Sequence, residues 1–330
     1  MTTQQQVLES ILLSNDNGMS VEIINFGARI KSIKFPVNAI PTEMILSYES
    51  AQEYTADQFY SGATCGRVCN RISQGKFEVD GKIYQLSQND GENCLHGGED
   101  NFSMRYWQIN KNTVTCSSVT LTLHSQDGDQ GFPGNAKFSV KYQLQNDNKL
   151  VIEYLGNTDK ATPINFTNHA YFTLGEQSCE SLYLQMHAST YLESDETNIP
   201  TGNIISVIGT DFDFRENKHI GKLLFETQDK SLLEKKGYDH CFVLDKGEVE
   251  RPKAILTSVN NQVSLSVYTN QLAIQLYTGF YLSGQFKPYQ GLCLEAQNYT
   301  DAENHDFPTN IVQPNQQYKR QIIFEFQSIK

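Results

Sequence analysis

Apolar residues recur at every second position through most of the chain. In Val119-Thr120-Leu121-Thr122-Leu123-His124 and in Phe138-Ser139-Val140-Lys141-Tyr142-Gln143-Leu144 the alternation is unbroken. It returns in Val263-Ser264-Leu265-Ser266-Val267 and at Ile322, Phe324 and Phe326. A period of two means that one face of each strand is buried while the other meets solvent or a cleft. Asp80-Gly81, between Phe77-Glu78-Val79 and Lys82-Ile83-Tyr84, predicts a tight hairpin with positive φ in the loop. Asp127-Gly128 and the run Gly131 to Asn135 mark another connection. Helical signals are sparse: Glu49 to Phe59 reads as a helix or an irregular loop, and Asn217 to Leu224 as one or two turns. With no internal repeat and no Gly/Ser/Pro-rich linker, the pattern predicts an all-β fold, a large antiparallel β-sandwich formed by residues 1–330 as a single domain.

Composition narrows the chemistry. The 330 residues include 26 basic and 38 acidic side chains, a net charge of −12. Such a field repels phosphates and argues against a nucleic acid or an anionic membrane as partner. Only 19% of residues are charged, and the remaining polarity comes from Asn, Gln, Ser and Thr, with many Tyr and Phe. That balance suits a neutral, hydroxyl-bearing ligand. The seven cysteines, an odd number without a Cys-x-x-Cys, read as reduced thiols rather than a disulfide framework or a zinc site. The first residues carry neither a basic n-region nor an apolar h-region, and no segment reaches the ~18 apolar residues of a membrane span. A cytoplasmic protein is the expectation. Nucleotide-binding, serine-hydrolase and zinc-protease motifs are absent, so no cofactor and no metal is expected.

Three side chains stand in unusual surroundings. His96 lies in Asn93-Cys94-Leu95-His96-Gly97-Gly98, where glycines allow close backbone approach, although a solvated loop imidazole fits the same pattern. If Asn165 to Phe172 is a strand, Asn165, Thr167, His169 and Tyr171 share one face and Phe166, Ala170 and Phe172 the other. His169 is then either a proton donor in a cleft wall or a hydrogen-bonded member of a polar patch. In Leu292-Cys293-Leu294-Glu295-Ala296-Gln297 the alternation separates Glu295 from the leucines. A carboxyl there is either a surface group on an edge strand or a poorly solvated base. Asp239-His240 makes a weak metal pair, because no other ligand is spaced to join it.

Taken in order, several blocks resemble the aldose 1-epimerase (galactose mutarotase) family. They are Gly66-Arg67-Val68-Cys69-Asn70-Arg71-Ile72, Asn93 to Gly98, Asp127 to Gly134, Thr167-Asn168-His169-Ala170-Tyr171-Phe172, Asn198 to Gly202, Phe212 to Arg215, Tyr238-Asp239-His240, Gln275 to Gly279, Leu294-Glu295-Ala296-Gln297 and Phe307-Pro308. The resemblance implies a mutarotase sandwich with a sugar in an open cleft. It implies Glu295 as general base and His169 as general acid, with Arg71, His96, Asp239, Asn70 and Phe280 around the sugar. The implied reaction interconverts α and β anomers of free aldoses such as galactose and glucose. A non-catalytic carbohydrate-binding module, or an epimerase preferring sugar phosphates or reducing disaccharides, is the alternative on the same fold. Two departures from the family pattern are expected at the cleft rim: Glu99-Asp100-Asn101-Phe102-Ser103 ahead of Trp107, and Phe280 where many members carry Asn.

Overall fold

The computed structural model describes residues 7–247 and 250–329. The alternating segments form the strands their period predicts. Ser118–Ser125 and Ala136–Leu144 pair along their whole lengths and bury Val119, Leu121, Phe138, Val140 and Tyr142. They belong to a nine-stranded sheet whose order is Gln108–Ile109, Ser118–Ser125, Ala136–Leu144, Lys149–Thr158, Tyr318–Ser328, Val263–Thr269, Ala254–Ser258, Tyr183–Met186 and Lys218–His219. A six-stranded sheet runs Tyr171–Phe172, Leu292–Gln297, Ala273–Tyr277, Asp239–Val243, Thr190–Ser194 and Pro200–Ser206. A four-stranded meander, Ser10–Ser14 to Ile40–Glu43, completes the larger sheets. All strand pairs within them are antiparallel.

The two large sheets face each other through one apolar core. Leu265 and Val267 of the first cluster with Ile274, Leu276 and Leu294 of the second, and the Phe172 and Phe324 rings meet at 5.0 Å. Burial of such side chains contributes roughly 1.5–3 kcal/mol each relative to exposure.

Local expectations hold at the Asp80-Gly81 hairpin, where φ is 53° and 75° and Lys76–Val79 pairs with Lys82–Gln85. Ala51–Ala56 forms a 3₁₀ turn and Ile220–Glu226 an α-helix, within and beside the segments that carried helical signals. A second helix, Lys230–Lys235, was not expected; Asp229 caps it by accepting from the Leu232 amide at 3.1 Å. The Asn165 to Phe172 segment departs from the expected strand. Thr167–Asn168 pairs with Thr64–Cys65 and Tyr171–Phe172 with Leu292–Cys293, so the chain crosses between two sheets and His169 sits at the crossing.

A buried ion pair anchors the loop beside that crossing. Arg29 Nη1 meets Asp57 Oδ2 at 2.6 Å with both side chains fully excluded from solvent. Arg29 also donates to the Ser61 and Ser103 carbonyls, while Asp57 accepts from the Ser61 amide and the Tyr48 hydroxyl. Gly62 follows with φ 66°, and a Cβ there would lie 2.0 Å from the Ile30 carbonyl oxygen, so only glycine fits. Its amide donates to the His169 carbonyl at 3.0 Å. The ion pair thereby fixes the loop that carries Tyr60 and one side of His169.

Candidate active site

Glu295 occupies a strand paired on both sides, by Tyr171–Phe172 and by Ala273–Tyr277. The edge-strand reading is therefore excluded. Leu292, Leu294 and Ala296 point into the core, and Cys293 and Glu295 lie on the opposite face with Gln275 and Tyr277. The next pairing brings Asp239 opposite Tyr277 on that same face. His240 is one residue on and faces away: it accepts from the Asp239 amide at Nδ1 and meets Ser231 Oγ with Nε2. Adjacent strand residues cannot both ligate one ion from opposite faces, which disposes of the Asp239-His240 metal pair.

Arg71 and His96 arrive from paired segments, Arg71–Ile72 and Cys94–Leu95. Asn70 and His96 both take left-handed backbone, at φ 58° and 52°. The His96 amide donates to the Asn70 carbonyl, and the Asn70 amide donates to His96 Nδ1 at 3.1 Å. Close packing holds this turn: a Cβ at Gly97 would meet the Gly66 carbonyl oxygen at 2.3 Å.

These segments enclose a cavity of about 210 Å³ whose walls include Asn70, Arg71, His96, His169, Asp239 and Glu295. It is smaller than the ~300–1,000 Å³ pockets of drug-sized ligands. His169 Nε2 lies 3.6 Å from Glu295 Oε1, and Glu295 Oε2 is buried without a hydrogen-bond partner. Asp239 accepts from Gln275 Nε2 at 2.6 Å and stands 3.9 Å from Arg71 Nη1, whose guanidinium also donates to Asp90 at 2.7 Å. Aromatic rings screen the imidazoles: Tyr60 lies 4.5 Å from His96, and Tyr171 lies 5.1 Å from His169.

Burial dominates the protonation of this cluster. It pushes the Glu295 carboxyl well above the usual carboxylate range, the Asp239 charge adding to the effect and Arg71 opposing it. It lowers His169 to about 4 and holds His96 well below an ordinary imidazole. Arg71 is moved the other way: the Asp239 and Asp90 carboxylates outweigh the cost of burying its charge.

His96, His169 and Glu295 bring one ligand atom each within 4.8 Å, a spacing that a metal ion could use. The tautomer of His96 opposes that role. Its Nδ1 accepts the Asn70 amide, so the ring proton of the neutral imidazole resides on Nε2, where an ion would need a lone pair. A hydroxyl oxygen fits that proton better than a cation does.

Five of the seven site residues read from the sequence are thus joined as wall-forming groups with free or charged polar atoms: Glu295, His169, Arg71, His96 and Asp239. Asn70 also lines the cavity, with its side-chain oxygen committed to the Arg71 amide at 2.9 Å. Phe280 is a correction. It does not line the cavity, because its ring packs on Tyr281 and Tyr289 beneath the Lys236 ammonium; Tyr281 takes the rim position. The Glu99 to Ser103 departure is likewise absent from these walls, and Asn101 and Trp107 there hold the local turn together. Sequence reasoning missed Tyr60, Asn198 and Tyr277 as lining residues. Asn198 and Tyr277 stood inside blocks that carried the resemblance, whereas nothing in the sequence around Tyr60 marks it.

A β-sandwich that buries a carboxyl–imidazole pair beside hydroxyl-matching groups is equipped to move protons on a hydroxylated ligand. The model of the aldose 1-epimerase family matches residues 9–325. The aldose 1-epimerase of Haemophilus influenzae is 40% identical over 308 residues, covering 89% of this chain and 88% of that protein. Human galactose mutarotase is 37% identical over 324 residues, covering 93% and 91%. The crystal structure of galactose 1-epimerase from Lactobacillus acidophilus superposes with a TM-score of 0.89 at 33% identity, covering 100% of this chain and 97% of that one. This chain belongs to the aldose 1-epimerase family and is a mutarotase. No helix among the described residues is long and apolar enough to cross a membrane.

Proposed function

We propose that Glu295 and His169 are the base and acid that open and reclose the ring of a neutral free aldose, galactose or glucose among them. The observation that carries this reading is the 3.6 Å separation of the two groups in one cavity, with Glu295 Oε2 left unpartnered. In the ionised tautomer of the pair, the Glu295 carboxylate takes the proton of the C1 hydroxyl while the His169 imidazolium delivers one to the ring oxygen. The C1–O5 bond breaks, the C1–O bond becomes a carbonyl, and the pair is left as a carboxylic acid beside a neutral imidazole. Rotation about C1–C2 and the reverse transfers give the other anomer, with no net proton gained or lost.

Burial favours the uncharged form of the pair, which is the form that accompanies the open-chain aldehyde. Each general acid or base step is worth roughly 10²–10⁴-fold. His96, Asp239, Arg71 and Asn70 are read as hydroxyl partners. Among the described residues, Arg71 is the only Lys or Arg in the cavity walls, and Asp90 and Asp239 already offset it, which supports a neutral sugar over a phosphorylated one. The same reading takes the chain as one domain, since one apolar cluster draws on residues from Leu13 to Phe326.

Polarimetry on freshly dissolved α-D-galactose and α-D-glucose tests the proposal. Equilibration faster than buffer, abolished by Glu295→Gln, is expected. Rates equal to buffer for every free aldose overturn it.

A further inference from the structure

The strand that carries the base also carries a thiol. In Leu292–Gln297, Cys293 lies two residues before Glu295 and shares its face. Tyr171 pairs opposite Cys293, which brings His169, two residues earlier, against that face. The imidazole therefore lies between a sulfur and a carboxyl of one strand. Its Nε2 faces Glu295 Oε1 at 3.6 Å, and its Nδ1 lies 3.4 Å from Cys293 Sγ. Ring and thiol are both buried, and the sulfur sits in an apolar cluster with Leu46, Tyr171, Leu282 and Phe286. Burial, with the charge of Glu295 adding to it, keeps Cys293 a neutral thiol.

A thiol can donate or accept, and the proton transfer decides which it does here. When the imidazolium gives its Nε2 proton to the sugar ring oxygen, the electron pair of that N–H bond stays on Nε2. The proton that remains is the one on Nδ1. The neutral ring thus presents an Nε2 lone pair to Glu295, which is the carboxylic acid at that point. A thiol donating to Nδ1 would demand the opposite tautomer and set an N–H against that acid. Because burial favours the uncharged pair, the same tautomer holds before substrate arrives. A neutral sulfur also orients the ring without stabilising its charge. A carboxylate in that place would favour the imidazolium and weaken it as an acid. The ring oxygen of a sugar is a weak base and calls for a strong acid.

We propose that Cys293 is a positioning residue for the acid: its sulfur accepts from the Nδ1–H of His169 and so reserves Nε2 as the nitrogen that gains and loses the proton. The two imidazoles of the cavity are then held in opposite tautomers, His96 by a backbone amide that can only donate and His169 by a sulfur that accepts. This inference rests on the acid and base roles assigned above.

Nitrogen-15 chemical shifts of the imidazoles, in histidine-labelled protein with His169→Asn to assign the signals, read the tautomer directly. They are recorded between about pH 4, where His169 titrates, and the raised value of Glu295. The wild type is expected to show a protonated Nδ1 and an unprotonated Nε2 at His169. Cys293→Ala is expected to lose that single tautomer and to lower kcat for α-D-galactose roughly 2- to 10-fold, the worth of one neutral hydrogen bond, with KM little altered. Cys293→Ser, whose hydroxyl also accepts, is expected to keep the tautomer and most of kcat. A wild-type His169 protonated on Nε2 overturns the inference. So does a Cys293→Ala variant with the wild-type tautomer, or a Cys293→Ser variant no faster than Cys293→Ala. A wild type that shows the expected tautomer but accelerates no free aldose overturns the acid and base roles, not the placement of the ring.

Discussion

The backbone amide of Asn70 donates to Nδ1 of His96 at 3.1 Å and so fixes the neutral tautomer that carries its proton on Nε2, in a ring that lines the cavity. On the proposed function, His96 donates to a sugar oxygen and takes no part in proton transfer. Replacing it with Phe keeps the bulk and removes the donor. The expected result is a rise in KM of roughly 2- to 10-fold, the worth of one neutral hydrogen bond, with kcat little altered. An unchanged KM would take His96 out of sugar contact.

The pH profile follows from the pair. The working form holds one proton shared between Glu295 and His169. Below about 4, His169 binds a second proton and the base is lost. On the alkaline side, activity falls only as Glu295 releases its proton, well above the usual carboxylate range. Unperturbed groups would confine activity between ~4.3 and ~6.5. In Asp239→Asn the charge that helps raise Glu295 disappears, so the alkaline limb is expected to move to lower pH. A limb that stays put, measured as kcat/KM against pH, contradicts the assignment.

Glu295→Gln and His169→Asn are each expected to lower kcat by about 10²–10⁴-fold with unchanged circular dichroism. The double variant should lose little more than the worse single one, because the two groups act as one proton-transfer unit. Additive losses would mean independent roles.

Arg29 and Asp57 make a prediction about stability. Their pair is fully buried, and Arg29 also serves two carbonyls. Arg29→Met leaves an uncompensated carboxylate and is expected to cost roughly 3–5 kcal/mol in denaturant unfolding. A loss under about 1 kcal/mol would show that the loop bearing Tyr60 is held by other contacts.

His240 reports on acid unfolding. Burial lowers it to about 3, so between its ordinary ~6.5 and that value the unfolded chain binds the proton and the native one does not. Its contribution is complete above the ordinary value and is lost as pH falls. The cost of His240→Gln should therefore shrink on acidification, by up to about 1.4 kcal/mol per pH unit. Glu303, raised by burial to about 7, acts with the opposite sign, which is why the comparison of variant with wild type is the informative one. A cost independent of pH would mean His240 titrates normally.

Much of this architecture is written in the period-two pattern, because a half-buried strand announces its buried face residue by residue. Val119, Leu121, Phe138 and Val140 all lie where alternation puts them. Glu295 was legible for the same reason, being a carboxyl out of phase with leucines. His169 was legible as a residue but not in its setting. The crossing between two sheets depends on partners at Thr64 and Leu292, which no local window contains. Tyr60 was invisible because it rides a loop whose position is dictated by a buried ion pair rather than by any periodicity. Phe280 falls outside the cavity walls because adjacent residues in a turn diverge, and sequence alone does not say whether 280 or 281 lines the cavity.

The cavity wall is contributed by stretches scattered from Gln58 to Glu295, some within the six-stranded sheet and some outside it. No fragment, and no partly assembled chain, owns enough of it to turn over a sugar. In a refolding reaction, catalysis is therefore the last signal to return, after secondary structure and after collapse, and it counts only finished molecules.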